Sequence, residues 1–213
     1  MAKIIIKENN VLAVETRPHL FVIAQALKNK TLVFFNIFTQ TPLSLSLELK
    51  NAAVLCCVTP VKNFYANTPM LKLNAAPVVE LEQLGRQDHL AFELTNSGRQ
   101  AVTVYQDTDD EMIIPAVPMG DLRLVNWQLL TLQHLSKEKD QALIAAHQLE
   151  TMGVYGELNE RLYLSYRFGK YVEPMKDLLM GKVHPAYKVY YQIIAQQITA
   201  AEWQKLPIED VLY

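Results

Sequence analysis

The feature that most constrains the fold is a change of hydrophobic period along the chain. The first forty residues hold short apolar runs, rich in β-branched and aromatic residues and separated by plausible turns, at residues 3–7, 11–14, 20–24 and 31–38. A spacing of about ten residues between such runs is typical of antiparallel hairpins that curl into a small barrel or a strongly bent sheet. The sequence therefore predicts an N-terminal, barrel-like curved β-sheet.

Four further strands are predicted downstream. Leucines alternate with polar residues over 43–49, which indicates a strand with one wet face, and residues 90–94 and 101–106 also favour strands. Residues 53–59 are apolar on both faces, a pattern typical of a central, buried strand.

After about residue 125 the period becomes helical. Apolar residues recur at helical spacing over 140–152, 157–168, 172–180 and 186–200. The predicted class is α+β. Residues 1–106 form an antiparallel β domain, an acidic and Pro-rich junction covers 107–120, and a mainly helical region over 121–213 packs on the sheet, either as a second domain or as part of one continuous domain.

Charge and composition exclude several functional classes. Residues 1–100 carry ten Lys+Arg and seven Asp+Glu, a balance of +3, and residues 101–213 carry ten and fifteen, a balance of −5. Neither half is basic enough to indicate nucleic-acid binding. No apolar run approaches the roughly 18–20 residues needed to cross a bilayer, and no signal-peptide core is visible. The two adjacent cysteines, Cys56 and Cys57, favour buried thiols in a reducing cytoplasm.

The sequence contains no recognisable catalytic or metal-binding motif. The five histidines stand far apart, the seven glycines form no phosphate-binding loop, and the sequence patterns of Ser and Cys nucleophiles are missing. We therefore predict a non-catalytic protein that needs no cofactor and no metal. The alternative is an enzyme with a dispersed site, for which a polar pocket of His147, Glu150, Tyr155 and Arg161 in the helical half is the candidate.

An acidic run and a set of aromatic residues are the interface candidates. Asp107, Asp109, Asp110 and Glu111 lie within five residues, either as a solvated loop beside a sheet edge or as an acidic patch presented to a basic partner. Tyrosines and a phenylalanine crowd the helical half, where they form either a helical core or a binding surface: Tyr163, Tyr166, Phe168, Tyr171, Tyr187, Tyr190 and Tyr191.

Three blocks of the sequence resemble an immunity-protein family of bacterial polymorphic toxin systems. The first block is Lys-Glu-Asn-Asn-Val-Leu-Ala-Val at 7–14, followed by 20–27 and 32–38; the second runs from Val-Leu-Cys-Cys-Val at 54–58 to Met-Leu-Lys-Leu-Asn at 70–74; the third holds Leu149-Glu150, Val154-Tyr155 and Arg161-Leu162. Met70 and Tyr155 stand where the family has Trp, Asn74 replaces a Gly, and Asn10 replaces a small acidic residue or Gly. The resemblance implies a cytoplasmic protein that docks on a cognate toxin domain and neutralises it.

Three hypotheses follow, in this order. The first is the immunity-like binding protein, which would use Asp107, Asp109, Asp110 and Glu111 against a basic toxin. The second is the enzyme with a dispersed active site. The third is a β-barrel adaptor module that binds peptide or nucleic acid, for which an exposed aromatic groove over the N-terminal strands would be the sign.

Overall fold

The structure is a computed structural model. It describes residues 5–27, 30–41, 49–78, 89–92, 102–105, 111–114, 122–126, 131–135, 139, 141–146 and 153–212. These residues include ten strands and six α-helices. The strands are β1 (Val11–Arg17), β2 (Leu20–Ala26), β3 (Leu32–Thr39), β4 (Val54–Val58), β5 (Met70–Leu73), β6 (His89–Phe92), β7 (Val102–Tyr105), β8 (Glu111–Ile114), β9 (Leu122–Asn126) and β10 (Thr131–Leu135). The helices are α1 (Lys62–Asn67), α2 (Gln141–Ala146), α3 (Glu157–Phe168), α4 (Pro174–Leu179), α5 (Lys188–Ile194) and α6 (Ala200–Trp203), with short 3-10 helices at Leu49–Asn51 and Pro185–Tyr187.

The chain divides into two compact units, and each combines segments from both halves of the sequence. The first unit comprises Met1–Gly85, Met152–Val172 and Ala200–Tyr213, and the second comprises Arg86–Thr151 and Glu173–Thr199. The predicted division into residues 1–106, a junction over 107–120 and residues 121–213, as two domains or as one continuous domain, stays a prediction. The sequence pattern gives the local period of each segment, whereas the units depend on which distant segments pack together.

The first unit contains a five-stranded antiparallel sheet in the order β4-β3-β2-β1-β5. Strands β1 and β2 and the first four residues of β3 are buried almost throughout, because both faces of the sheet are covered there. On one face Leu12, Val22 and Phe34 pack in one core cluster with Leu158 and Leu162 of α3. The other face has its own cluster, which includes Val11, Ala13, Ile23, Val33 and Phe35. The antiparallel sheet and the helices confirm the predicted α+β class.

The predicted barrel-like closure is wrong. Strands β4 and β5 stand at opposite ends of the sheet order, so the sheet is open. Hairpins ten residues apart build an open meander as readily as a barrel, and separate layers on the two faces bury both surfaces without closure. The amide of Gln25 holds part of one layer, since it donates to the Val78 carbonyl at 3.0 Å and accepts from the Val78 N–H at 2.8 Å.

Two strand predictions and one helical prediction need correction. Residues 5–7 of the predicted strand 3–7 lie outside any strand, and the Ile5 side chain is 77% exposed. The predicted central strand at 53–59 is β4, at an edge, where neighbouring loops and helices bury Leu55, Cys56 and Val58 instead of a second strand. Strands β9 and β10 fall inside the region predicted to be mainly helical; the alternation of Leu122 and Leu124 with Arg123 is a strand pattern that the helical expectation overlooked. The predicted strand at 43–49 falls largely outside the described residues.

Helix α3 is the main element on the sheet, and its bounds match the predicted helix at 157–168. A glycine with positive φ flanks each end, Gly156 at 85° and Gly169 at 64°, and these backbone conformations favour residues without a Cβ. The Asn159 side chain accepts from the Gly156 N–H at 3.0 Å and so satisfies a backbone donor at the helix start. Every residue from Glu157 to Ser165 is buried, so α3 is enclosed on all sides over two turns.

The C-terminal segment, which we define as residues 204–212, runs along α3. The Glu209 N–H donates to the Tyr163 hydroxyl at 2.7 Å, and the Leu212 N–H donates to the Arg167 carbonyl at 2.7 Å. Arg167 also pairs with the Glu209 carboxylate and donates to the Asp210 carbonyl at 3.2 Å. The helix and the segment are therefore joined by both backbone and side-chain contacts.

The second unit contains a three-stranded antiparallel sheet in the order β10-β9-β6 and a separate β7-β8 pair. Its C-terminal part is held by tyrosines. The Tyr187 hydroxyl donates to Asp177 Oδ2 at 3.0 Å, and the Tyr191 hydroxyl donates to the Pro174 carbonyl at 3.1 Å. Tyr187, Tyr190 and Tyr191 are buried, which agrees with the core role considered for these aromatic residues.

Truncating a leucine on α3 tests the packing of this helix on the sheet. Leu162→Ala should lower the free energy of unfolding by about 2–5 kcal/mol, because the fully buried side chain leaves a cavity between α3 and the strands. Leu71→Ala on edge strand β5 is the matched control; its side chain is 39% exposed, and the loss should stay near or below about 1 kcal/mol. Urea denaturation followed by circular dichroism measures both. Equal losses would contradict the packing.

Candidate functional site

A buried ion pair lies between the end of β1 and the middle of α3. Arg17 Nε donates to Glu160 Oε2 at 2.9 Å, and Arg17 Nη2 donates to Glu160 Oε1 at 2.6 Å. The two side chains are only 2% and 1% exposed. This parallel, two-bond geometry is the strongest arrangement of a guanidinium with a carboxylate, and here it forms away from water.

The C-terminal part of the first unit completes the surroundings of this pair. The Trp203 indole N–H donates to Glu160 Oε2 at 2.8 Å, and Arg17 Nη1 donates to the Pro207 carbonyl at 2.8 Å. The Arg17 guanidinium carbon lies 3.8 Å from the centroid of the Tyr163 ring, a cation–π distance. Both charges are thus compensated, and the pair holds α6 and the C-terminal segment against α3.

A cleft of about 280 Å³ lies beside this network, and we call it the Trp203 cleft. Its lining is Glu15, Arg17, Pro18, Pro69, Tyr155, Asn159, Trp203 and Gln204. The rings of Tyr155 and Trp203 meet edge to face, with centroids 5.9 Å apart and planes at 82°. The Gln204 amide donates to the Tyr155 hydroxyl, which fixes the side chain of that residue at the rim.

The polar groups around the Trp203 cleft are held in place by hydrogen bonds. Asn159 is fully buried and donates to the Glu15 carbonyl at 2.8 Å, which ties the start of α3 to β1. Glu15 Oε1 accepts from the His19 N–H at 2.9 Å. Burial raises the pKa of Tyr155, and the negative charge of Glu15 raises it further, while the hydrogen bond with Gln204 lowers it. The Tyr155 hydroxyl is therefore neutral at physiological pH.

A second, more open depression of about 630 Å³ lies at the other end of α3, and we call it the Phe38 groove. Its lining is Asn36, Phe38, Tyr166, Phe168, Gly169 and Lys170. The rings of Phe38 and Tyr166 have centroids 5.3 Å apart and are tilted by 56°. The three aromatic side chains are half-buried, and Asn36 and Lys170 are exposed. The groove thus offers apolar ring surface beside one cation.

Two members of the predicted polar pocket, Tyr155 and Arg161, lie among the described residues. Tyr155 lines the Trp203 cleft, whereas Arg161 is buried outside its lining. The Arg161 Nε lies 3.8 Å from Glu157 Oε1, and its guanidinium carbon lies 6.0 Å from the Tyr171 ring centroid. The other two members, His147 and Glu150, lie outside the described residues.

The predicted acidic patch is only partly covered. Asp107, Asp109 and Asp110 lie outside the described residues, and Glu111 is the first residue of strand β8. The patch therefore stays a prediction.

Sequence reasoning missed Arg17, Glu160 and Trp203. A usable signal existed for Glu160, which lies between Leu158 and Leu162 in a helix predicted to be apolar on two faces, a setting in which a charge needs a partner. Nothing in the sequence indicated that Arg17 is the partner of Glu160, since the two residues are 143 positions apart.

Within the described residues, no group of three or more His, Cys, Asp or Glu side chains is arranged to hold a metal ion. Burial raises the pKa of the Cys57 thiol to about 11, and Cys56 is also buried. Among the described helices, none has the length and apolar character needed to cross a membrane.

No protein-family model matches the sequence, and neither a curated protein nor a solved structure matches it. The resemblance to immunity proteins therefore stays a prediction.

Breaking the buried ion pair tests whether it supports the first unit. Arg17→Met and Glu160→Leu should each lower the free energy of unfolding by about 3–5 kcal/mol, because each leaves a buried charge without its partner. The double variant removes both charges, and its loss should be smaller than that of either single variant. Denaturant titrations of the four proteins give the coupling. Additive losses would show that the two charges do not depend on each other.

Proposed function

We propose that this protein is a non-catalytic binding protein that recognises a segment of another protein through the Phe38 groove. The observation that supports this proposal is the lining of the groove, in which Phe38, Tyr166 and Phe168 present ring surface at a depression of about 630 Å³. Aromatic residues dominate binding hot spots because they bury a large area with few rotatable bonds. The volume suits several side chains of an extended segment.

The charge of the groove favours a peptide over a nucleic acid. Among the described residues of its lining, Lys170 is the one that carries a charge, and nearby Arg167 is engaged by Glu209 and the Asp210 carbonyl. Binding of a nucleic-acid strand depends on several cations that follow the phosphates. One cation beside three rings instead matches an apolar segment that carries a carboxylate. The groove lies where the second half of β3, with Asn36 and Phe38, meets the end of α3, with Tyr166 and Phe168.

A narrower proposal concerns the identity of the partner. We infer from the resemblance over residues 7–162 that the partner is a bacterial toxin domain, which the chain neutralises in the cytoplasm. The acidic run at 107–111 supports this proposal through its charge, because toxins that act on nucleic acid need a basic cleft.

Peptide selection tests the groove directly, because it requires no identified partner. A displayed library of random peptides, panned on the folded chain, should yield peptides that combine apolar residues with an acidic residue. Phe168→Ala and Lys170→Glu should each weaken these peptides by roughly tenfold or more, since each removes a central contact. Fluorescence polarisation measures the affinities.

The control for this selection is Leu71→Ala, which removes an exposed apolar side chain on β5, outside the groove. It should leave the affinities within about twofold. Peptides whose binding survives both groove variants, or a library that yields none, would contradict the proposed site.

Growth rescue tests the toxin proposal. Under this proposal a toxin gene lies next to the gene for this chain; the toxin domain that it encodes should stop growth of a host cell, and co-expression of the chain should restore it. Replacing Asp107, Asp109, Asp110 and Glu111 by Asn and Gln should slow association and flatten its dependence on salt, because these charges steer a basic partner. Surface plasmon resonance at several salt concentrations measures the rate. An unchanged rate would remove the acidic run from the interface, and failed rescue would remove the toxin as partner.

A further inference from the structure

The Trp203 cleft has the size of a site for one side chain. Its volume of about 280 Å³ lies just below the usual range of pockets for drug-sized ligands. Pro18 and Pro69 are stiff residues in its walls, and the hydrogen bonds of Glu160 and Gln204 hold Trp203 and Tyr155. The cleft is therefore shaped before any ligand arrives, which lowers the cost of binding.

The charge in the cleft is negative. Of the two charged residues in the lining, Arg17 is neutralised by Glu160 through two hydrogen bonds. Glu15 forms no ion pair among the described residues, and its carboxylate accepts one hydrogen bond, from the His19 N–H. A carboxylate offers about four acceptor positions, so most of its capacity remains for a ligand.

The other lining groups suit a cation as well. Aromatic ring faces attract ammonium and guanidinium groups, and the half-buried ring of Tyr155 and the 4% exposed ring of Trp203 line the cleft together with Glu15. The Gln204 NH2 group donates to the Tyr155 hydroxyl, which leaves the amide oxygen as a further acceptor. Glu15 and Tyr155 both line the cleft, and the negative charge of Glu15 adds to the raised pKa of the Tyr155 hydroxyl, which burial mainly causes.

We propose that the Trp203 cleft binds an organic cation, an ammonium or guanidinium group on an alkyl stem, with Glu15 as counter-ion and Tyr155 and Trp203 around the stem and the charge. A lysine or arginine side chain of a protein and a free alkylamine share this chemistry. The site shares no residue with the Phe38 groove, so it does not rest on the proposed function.

Calorimetric titration with n-butylammonium and agmatine tests the proposal, with 1-butanol as the neutral probe of similar size. The cations should bind the wild-type chain, and 1-butanol should bind at least tenfold more weakly. Glu15→Gln keeps the shape of the side chain and removes its charge, so it should weaken cation binding at least tenfold. Tyr155→Leu should weaken it severalfold, because one ring is lost.

Three controls separate the site from general effects. Asp210→Asn removes an exposed carboxylate outside the lining and should leave the affinities within twofold. Phe168→Ala changes the groove and should also leave them unchanged, so failure of the cleft and failure of the proposed function are told apart. Thermal unfolding shows whether Glu15→Gln remains folded; if it does not, Tyr155→Leu and the comparison with 1-butanol decide.

The outcomes are clear-cut. Equal binding of n-butylammonium and 1-butanol, equal binding by wild type and a folded Glu15→Gln, or no binding of any cation would overturn the proposal. Arginine and lysine blocked as N-acetyl methylamides identify the source. If they bind at least as tightly as agmatine and n-butylammonium, the cleft takes a side chain of a polypeptide; if only the free amines bind, it takes a small metabolite.

Discussion

The first unit depends on the ion pair between Arg17 and Glu160. Removing a guanidinium and a carboxylate from water costs several kcal/mol per ion, so such a pair persists only where other contacts compensate. Here the compensation comes from the indole N–H of Trp203, the carbonyl of Pro207 and the ring of Tyr163. These groups belong to different segments, and their geometry is met only when β1, α3, α6 and the C-terminal segment are all in place. The pair therefore joins β1 and α3 to α6 and the C-terminal segment.

The packing of α6 and the C-terminal segment on α3 positions residues that line the Trp203 cleft and the Phe38 groove. Trp203 forms a wall of the cleft because its indole N–H donates a hydrogen bond to the Glu160 carboxylate. The same carboxylate neutralises Arg17, so Glu15 sets the charge of the cleft. At the other end of α3, contacts of Arg167 with Glu209, Asp210 and Leu212 hold the last turn of the helix, which carries Tyr166 and Phe168 into the groove. The C-terminal segment thus shapes the groove, although two of its apolar residues, Val211 and Leu212, are 40% and 46% exposed.

Local sequence patterns were sufficient to predict several strands and the main helix. Strands β1, β2 and β3 follow from runs of β-branched and aromatic residues between turns, and α3 follows from apolar spacing between two glycines. The position of β4 at an edge was not predictable. A strand whose two faces are covered is apolar on both faces, whether it pairs with one neighbouring strand or with two. The candidate sites were less accessible still. Tyr155 was singled out, but the cleft also needs Glu15 and Trp203, which lie in segments that only the three-dimensional packing brings together.

The length of α3 sets the spacing of contacts that a single partner would need in order to occupy both depressions. Asn159 lies in the first turn and Phe168 ends the helix, and the rise between these two residues is about 14 Å. An extended segment needs about four residues to cover that distance. The charges at the two ends are opposite, Glu15 in the cleft and Lys170 at the groove. A segment with a basic residue at one end and an acidic residue at the other would therefore bind in one orientation, because the reversed orientation places like charges together. Specificity would then come from the distance and order of two charges, and affinity from the aromatic rings beside them.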